Sequence, residues 1–252
     1  MSRVAQLIYE REKLTINDIM TGLHGKQMFT APDVACFPVT GGQMRYALGG
    51  NPQPHFVLRG PFKLLLSGPS GCGKTNAVAH LLQDPCVDTN FVTVYLISRF
   101  YQPFYRAMLQ GYNVVQLAKF SDFDENNLRP NSCLILDDSA FQFANSANFC
   151  TLLWGSRHLD LSMICMTPFL YGTGRYSSQQ RKLYSYIFLF SNPLNDCDRF
   201  FKELVDDNRR FSLALYEVCK RRPYSFIKVN LKISRRAFGE QLVTLCQFGV
   251  YQ

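Results

Sequence analysis

Between residues 61 and 190 the chain alternates short, continuous apolar runs with stretches of mixed polarity. Continuous apolar runs of about four to seven residues are typical of strands that are buried on both faces of a parallel sheet. The pattern predicts strands over 63–67, 92–98, 112–117, 133–138, 162–167 and 186–190, and helices over 74–83 and 103–110. We therefore expect an α/β fold with a mainly parallel sheet that helices cover on both faces.

The first 60 residues have a different pattern. Residues 1–24 carry loosely spaced apolar positions that predict a helix, whereas 25–60 are punctuated by glycine and proline. We expect an arm over 1–58, followed by one domain over 59–252. No apolar run approaches the roughly 18 residues that span a bilayer, and the amino terminus lacks the apolar core of a signal peptide. No contact with a membrane is therefore expected.

The composition indicates the class of binding partner and the redox state of the cysteines. Lys and Arg number 27 against 19 acidic residues, a formal net charge of +8, which favours a polyanionic partner. Between Arg199 and Arg236 eleven basic residues stand against four acidic ones, so this segment carries most of the excess. The alternative is an ordinary solvated surface or a subunit interface. The nine cysteines lack zinc-finger spacing and lie mostly in apolar runs, so reduced, buried thiols are expected.

A phosphate-binding loop is the strongest motif. Gly68-Pro-Ser-Gly-Cys-Gly-Lys-Thr75 matches G-x-x-x-x-G-K-[S/T] in full, after an apolar strand and before a helix. The glycines let backbone N–H groups face a phosphate at the helix N-terminus. Lys74 is expected to reach the β- and γ-phosphates, and the Thr75 hydroxyl to ligate Mg²⁺. The residues predicted to bind ATP are Gly68, Pro69, Ser70, Gly71, Cys72, Gly73, Lys74, Thr75 and Asn76.

Two carboxylates follow the apolar run that begins at Cys133. Asp137 ends that run and is expected to reach the Mg²⁺ shell as a Walker B aspartate. Asp138 lies where hydrolysing P-loop enzymes carry the acid that activates water, although an aspartate is shorter than the usual glutamate. The alternative is a pair of exposed loop acids that cap the next helix.

Five further segments surround these motifs in a fixed order: Arg59–Phe62, Tyr101–Tyr105, Ser156–Ser162, Leu189–Pro193 and Pro223–Asn230. With the P-loop and the aspartate pair, they resemble the genome-packaging ATPases of Polinton-like and adinto-like viruses and of virophages. These enzymes belong to the FtsK/HerA group of translocases, as does the poxvirus packaging ATPase. The resemblance covers about residues 59–232, and its most specific features are the Tyr-Gln-Pro-Phe-Tyr segment, the Asp-Asp pair and the Arg-His segment.

The resemblance implies a RecA/ASCE-like P-loop NTPase fold with ATP and Mg²⁺ as cofactors. It implies an ATP-driven motor that assembles as a ring, expected to be a hexamer, and pumps double-stranded DNA into a preformed viral capsid at its portal or vertex proteins. The expected location is inside an infected host cell, in the nucleus or a viral factory, with association with the virion as a further option.

The chain departs from the family pattern at two places. Family members carry a glutamine that senses the γ-phosphate at the end of the fourth strand, where this chain has Pro168, so Thr167 or another residue must substitute. The family also places an arginine that acts on the neighbouring subunit three residues after a basic position. Arg175 matches the basic position, Ser178 stands at the second, and Arg181 follows three residues later. Arg175 and Arg181 are therefore both candidates for catalysis in trans.

Other readings of the chain stay open. Trp154, the single tryptophan, ends a predicted helix and is expected in the core, and His158 is expected to have a packing or capping role. A nucleoside or nucleotide kinase also uses a P-loop, but it does not need an aspartate pair to activate water. A weakly hydrolysing subunit that binds ATP and DNA is a third possibility, favoured by Pro168 alone.

Overall fold

The computed structural model describes residues 35–36, 58–83, 87, 90–98, 103–137, 146–171, 177–204, 213, 216–217, 220, 225–232 and 243–247. The chain divides into two compact units, Val57–Ile187 and Met1–Phe56 together with Phe188–Gln252. The helix predicted over 1–24 lies outside the described residues. Most of the predicted arm over 1–58 does as well, so its boundary with the domain stays a prediction.

Strands and helices alternate along the first unit. In chain order, the strands and helices of the described residues in both units are β1 (Ala35–Cys36), β2 (Lys63–Ser67), α1 (Lys74–Gln83), β3 (Thr93–Ser98), α2 (Pro103–Met108), β4 (Asn113–Leu117), β5 (Ser132–Asp137), α3 (Ala147–Gly155), β6 (Leu161–Thr167), α4 (Ser177–Leu183), β7 (Tyr186–Leu189), α5 (Leu194–Leu204), β8 (Ser225–Asn230) and β9 (Val243–Gln247). Two short 3-10 turns, Phe120–Asp122 and Glu125–Asn127, separate β4 from β5. The strand and helix predictions between residues 63 and 190 are confirmed to within two residues at their ends.

The strands of the first unit form a parallel sheet in the order β2-β6-β5-β3-β4. Because every pair is parallel, the carboxyl ends of these strands meet at one edge. The register places Ser67 opposite Thr167 and Ser98 opposite Asp137 at that edge. Ligands of open α/β sheets bind outside the carboxyl ends of the strands, so these residues mark the position of a site.

Burial follows the order of the strands. Every residue of β2, β5 and β6 is buried, which explains why their sequences are continuously apolar rather than alternating. The outer strand β4 is different, since Asn113, Val114 and Gln116 are exposed. Each fully buried Leu, Ile or Phe contributes about 1.5–3 kcal/mol, so these three strands supply much of the stability of this unit.

The second unit contains sheet elements that the sequence did not predict. Strand β8 pairs antiparallel with β9, and β9 pairs parallel with β1. Helix α5 packs Cys197, Phe200 and Phe201 inward. Aromatic rings stack within the unit, with the centroid of Phe226 lying 4.5 Å from that of Phe188. The mainly parallel α/β class is confirmed, and β8 with β9 is an antiparallel pair within it.

The position of Trp154 corrects one prediction. Its side chain is 67% exposed, whereas the sequence favoured a place in the core. Helix α3 begins at the N-cap Ser146, whose hydroxyl oxygen accepts a hydrogen bond from the Phe149 N–H at 3.2 Å. The helix buries Phe149, Leu152 and Leu153. Trp154 follows the buried pair and falls on the opposite face, because successive helical residues are rotated by about 100°.

Candidate nucleotide-binding site

The phosphate loop starts where β2 ends and closes into α1. The Cys72 N–H donates to the Pro69 carbonyl at 3.4 Å, and the Ala77 N–H donates to the Gly73 carbonyl at 2.9 Å as the helix begins. Gly71 and Gly73 have φ values of 76° and 103°. Residues with a Cβ rarely adopt this region, so the two glycines are required by the backbone path of the loop.

Lys74 lies inside this loop. Its side chain is buried, and its ammonium donates to the carbonyl oxygens of Gly68 at 2.7 Å and Pro69 at 2.9 Å. Both acceptors belong to the loop itself, so the cation is held by the backbone that would surround a phosphate. Pro69, Ser70 and Gly71 are exposed, which leaves the outer part of the loop accessible to a ligand. The positive charge of Lys74 is therefore held by the loop backbone, and the outer residues of the loop are exposed.

Asp137 is placed at the same edge of the sheet. It is the last residue of β5, lies opposite Ser98 in the register, and is 6% exposed. The neighbouring candidate Asp138 lies outside the described residues, so its catalytic role stays a prediction. Thr75 and Asn76 are half-buried in the first turn of α1. A hydroxyl in the first turn of α1 and a carboxylate at the end of β5 are therefore both placed at the edge of the sheet where the phosphate loop lies.

These donors fit Mg²⁺ of the kind found in P-loop sites. No cluster of three His, Cys, Asp or Glu side chains that could hold a metal occurs within the described part of the chain. Mg²⁺ in nucleotide sites is bound by one or two protein oxygens and takes its other ligands from phosphates and water. The Thr75 hydroxyl and the Asp137 carboxylate are a donor set of that kind, hard oxygens without thiol or imidazole.

The end of β6 is joined to the phosphate loop, a link that sequence analysis missed. The Gly68 N–H donates to the Thr167 carbonyl at 3.1 Å. The Thr167 hydroxyl closes a local turn over Pro168, since it accepts from the Phe169 N–H at 3.3 Å and lies 3.1 Å from the Phe169 carbonyl, to which it donates. The sequence offers no signal for this link, because it depends on the pairing of β2 with β6, which brings the residues at the two strand ends together.

The structure describes one of the two candidate arginines. Arg175 lies outside the described residues. Arg181 is in α4, is 4% exposed, and places its guanidinium 4.0 Å from the centroid of the Tyr171 ring in the same unit. A side chain buried in this way is packed within its own chain, whereas catalysis in trans needs a guanidinium that reaches a neighbouring subunit. The trans role of either arginine stays a prediction.

Only some of the basic side chains described between residues 199 and 236 are exposed. Arg199, Lys202, Lys220 and Lys232 are exposed. Lys228 is 3% exposed in β8, so the expectation of one continuous basic surface needs correction at this position. The apolar sequence around Lys228 places this lysine in a strand whose residues are nearly all buried. The other basic residues of the segment lie outside the described residues.

Three of the five described thiols, Cys133, Cys165 and Cys197, are buried as predicted, whereas Cys72 and Cys150 are half-buried. Cys72, Cys133, Cys150, Cys165 and Cys197 form no disulfide. Burial raises the pKa of the Cys133 thiol far above its usual value and that of Cys165 to about 12. Both groups are therefore protonated and unreactive at neutral pH, since the thiolate is the reactive form. Cys72 is half-buried within the phosphate loop.

His158 lies in the turn that follows α3. The His158 side chain is exposed, and its ring lies 6.3 Å from that of Trp154, centroid to centroid. The backbone N–H of His158 donates to the Gly155 carbonyl at 2.8 Å and so closes the end of α3. A packing or capping role of the imidazole itself stays a prediction. Among the helices that the structure describes, none is both long and apolar enough to span a bilayer.

Comparison with solved structures identifies the class of fold. The genome packaging NTPase B204 from Sulfolobus turreted icosahedral virus 2, in complex with sulfate, aligns with a TM-score of 0.53 and 13% identity over 76% of this chain and 99% of that chain. The same protein with ATP-gammaS gives a TM-score of 0.51 and 12% identity over 75% and 98% of the two chains. With AMPPCP it gives 0.52 and 12% over 73% and 96%.

The likeness to these structures is one of fold, since the identity is low. The chain has the mostly parallel sheet with helices of a P-loop NTPase, as the sequence predicted. No protein-family model matches the sequence. No curated protein matches it either. The function of the chain therefore has to be argued from its site.

Proposed function

We propose that this protein is an ATP-hydrolysing translocase that packages double-stranded viral DNA into a preformed capsid. The observation that carries the proposal is the Lys74 ammonium, held 2.7 Å from the Gly68 carbonyl within a complete phosphate loop at the end of β2. A buried lysine enclosed by loop backbone is suited to bind the phosphates of a nucleotide. The packaging NTPase B204 has a similar fold, which supports this choice among P-loop activities.

Each residue of the site has a proposed role. Lys74 binds the β- and γ-phosphates, and the N–H groups of the phosphate loop surround them. Thr75 and Asp137 would hold Mg²⁺, which supplies positive charge to the phosphates. Asp138 orients and deprotonates the attacking water. Arg175 or Arg181 neutralises charge on the γ-phosphoryl group from the neighbouring subunit, as the resemblance to packaging ATPases implies.

The proposed partners follow from the same activity. Double-stranded DNA is the cargo, a portal or vertex protein of the capsid is the docking partner, and copies of the chain form a ring that we propose is hexameric. The net charge of +8 supports a polyanionic cargo. The proposed setting is the infected cell, in the nucleus or a viral factory, with the motor able to remain on the virion.

A weakly hydrolysing ATP- and DNA-binding subunit is the second candidate. It is favoured by the turn at Pro168, where the Thr167 hydroxyl is bonded to the backbone of Phe169 instead of extending toward a nucleotide. Single-turnover hydrolysis distinguishes the two candidates. A working motor converts bound ATP to ADP faster when duplex DNA is present, whereas the weak subunit retains ATP with or without DNA.

The proposal is tested by phosphate release from Lys74→Ala. Loss of the cation that contacts both terminal phosphates should reduce release to background. Lys119→Ala is the matched control, because this lysine is 72% exposed and lies in the turn after β4, away from the loop. Formation of ADP that is stimulated by nucleosides but not by duplex DNA, without release of inorganic phosphate, would favour a kinase, because the γ-phosphoryl group is then transferred to the nucleoside. Wild-type turnover in folded Lys74→Ala contradicts the ATPase assignment.

A further inference from the structure

The carboxyl end of α3 exposes an aromatic and cationic group of side chains. Trp154 is 67% exposed, and the centroid of its ring lies 6.3 Å from that of His158. Arg157 lies between them in sequence and is exposed as well. Backbone hydrogen bonds fix the turn, with the Leu161 N–H donating to the Ser156 carbonyl at 3.0 Å. Tryptophan and arginine are the residues most enriched at the energetic centres of protein interfaces.

An exposed apolar residue adjoins this group. The Val92 N–H donates to the Asn131 carbonyl at 3.0 Å, and the Asn131 N–H donates to the Asp160 carboxylate at 3.3 Å. Asp160 follows the α3 turn, so these two hydrogen bonds through Asn131 connect the turn to Val92, which is 56% exposed. We define the α3-end patch as Val92, Trp154, Arg157 and His158. Two of the four large apolar side chains exposed within the described residues belong to it.

The opposite end of α3 adjoins an acidic turn. The Phe120 ring packs against Phe149 in the first turn of α3, at 5.6 Å between centroids. The residues that follow Phe120 expose three carboxylates, and Lys119 pairs with one of them at 3.7 Å. We define the acidic turn as Asp122, Asp124 and Glu125. The pKa of Asp124 is lowered, chiefly by the hydrogen bond from the Asn126 N–H and then by that from the Asn127 amide.

We propose that the α3-end patch of one copy of this chain docks on the acidic turn of a second copy. The inference rests on the proposed function, because a ring motor requires contacts between copies. Arg157 and the acidic turn have opposite charge, and they lie at opposite ends of one helix. A nine-residue helix is about 13 Å long, so both surfaces fit in one unit without overlap. A contact between two different surfaces of identical chains is head-to-tail and produces a closed ring or a filament.

A nucleic-acid occupant fits the α3-end patch less well. Arg157 is the single lysine or arginine of the patch, and Val92 and Trp154 add exposed apolar surface, whereas a phosphate backbone favours clustered cations. A protein surface with carboxylates and apolar area complements both features. Trp154 gains most from such a contact, since burying an aromatic side chain removes a large apolar area from water.

Charge exchange between the two surfaces tests the proposal. Arg157→Glu places an acid opposite the acidic turn, and Glu125→Lys places a base opposite Arg157, so each variant alone should weaken self-association about tenfold or more. An equal mixture should recover it, because every contact in an alternating assembly is then between opposite charges. Arg106→Glu, an exposed change of the same sign in α2, should assemble like wild type. Mass photometry across protein concentrations gives the assembly constants.

Intrinsic fluorescence provides a second measurement, because Trp154 is the only tryptophan. Its emission should shift to the blue and its quenching by acrylamide should fall as protein concentration rises, in step with assembly. Wild-type assembly by folded Arg157→Glu, no recovery in the mixture, or a wild-type chain that stays monomeric would each overturn the proposal. A Trp154 response to duplex DNA alone would assign the patch to nucleic acid. ATP binding, measured in parallel, tests the nucleotide site of the proposed function separately, since neither surface includes the phosphate loop and binding does not need a neighbouring subunit.

Discussion

The Gly68 N–H donates a 3.1 Å hydrogen bond to the Thr167 carbonyl, so the first residue of the phosphate loop is joined to the last residue of β6. The Thr167 side chain continues this connection, because its hydroxyl is bonded to the backbone of Phe169. The carbonyl and the hydroxyl of Thr167 therefore link the phosphate loop to the turn that contains Pro168. The resemblance to packaging ATPases implies a γ-phosphate sensor at this turn, so a change at Thr167 tests whether the turn takes part in hydrolysis.

We expect Thr167→Val to lower the hydrolysis rate by about tenfold while ATP binding is retained. The variant keeps the volume and the carbonyl that accepts from Gly68, but it loses the hydroxyl that holds the turn, and small displacements near reacting groups cost about 10- to 100-fold in rate. Single-turnover hydrolysis and equilibrium binding of a fluorescent ATP analogue measure the two quantities. Thr167→Ser keeps the hydroxyl and should behave like wild type. Equal rates for the Val and Ser variants would mean that the turn has no part in catalysis.

The adjacent aspartates should separate into a binding and a catalytic role. Asp137→Asn should weaken Mg²⁺-dependent ATP binding, because an amide is a poorer ligand for a hard cation. Asp138→Asn should bind ATP and Mg²⁺ normally but hydrolyse about 10² to 10⁴ times more slowly, since the water loses its general base. Isothermal titration with and without Mg²⁺ gives the binding, and single-turnover assays give the rate. Normal hydrolysis by Asp138→Asn would place the base elsewhere.

The two arginines should differ in what their removal affects. Arg181→Ala should destabilise the protein by about 2 kcal/mol, because a buried guanidinium stacked on Tyr171 is lost, and its melting temperature should fall. Arg175→Ala should melt like wild type and lose about 10³-fold in hydrolysis if its guanidinium acts on the neighbouring subunit.

Mixed assemblies test the trans assignment directly. A variant that lacks the trans arginine and Lys74→Ala each retain the part that the other lacks, so co-assembled mixtures should recover some hydrolysis. Recovery with Arg175→Ala but not with Arg181→Ala would assign the trans role to Arg175. Recovery only with Arg181→Ala would show that Arg181 leaves its contact with Tyr171 on assembly. No recovery with either variant, despite co-assembly, argues for a site that is complete within one subunit.

How much of the fold and site the sequence could predict depends on how local the signal is. Strand β2 and helix α1 were predicted at their observed ends, because an apolar run, a complete motif and a helix start coincide there. Strands β8 and β9 were missed, since Lys228 breaks the apolar pattern of a strand that pairs with residues about 16 positions away. Trp154 was misplaced because the face that a short helix buries is decided by the sheet beneath it, which local sequence does not reveal.

The same limit applies to the site. The spacing of the phosphate loop identifies Lys74, and the end of an apolar run identifies Asp137, but the bond between Gly68 and Thr167 joins positions 99 residues apart and depends on strand order. Strand order is a property of the whole sheet, so only the structure places β6 between β2 and β5. The sequence therefore predicts residues in contiguous motifs, whereas contacts between neighbouring strands are seen only in the structure.

Two lysines of the basic segment provide a matched pair for the DNA prediction. Lys202 is exposed on α5, whereas Lys228 is 3% exposed in β8. If the segment contacts the phosphate backbone, Lys202→Gln should weaken binding to all duplex sequences equally. It should also flatten the slope of log K against log salt by up to about 0.9, the contribution of one neutralised phosphate. Lys228→Gln should leave this slope unchanged, because a buried ammonium cannot reach DNA, and its effect should appear in the melting temperature. Fluorescence anisotropy at several salt concentrations measures the slopes, and an unchanged slope and affinity for Lys202→Gln would move the DNA contact to another surface of the chain.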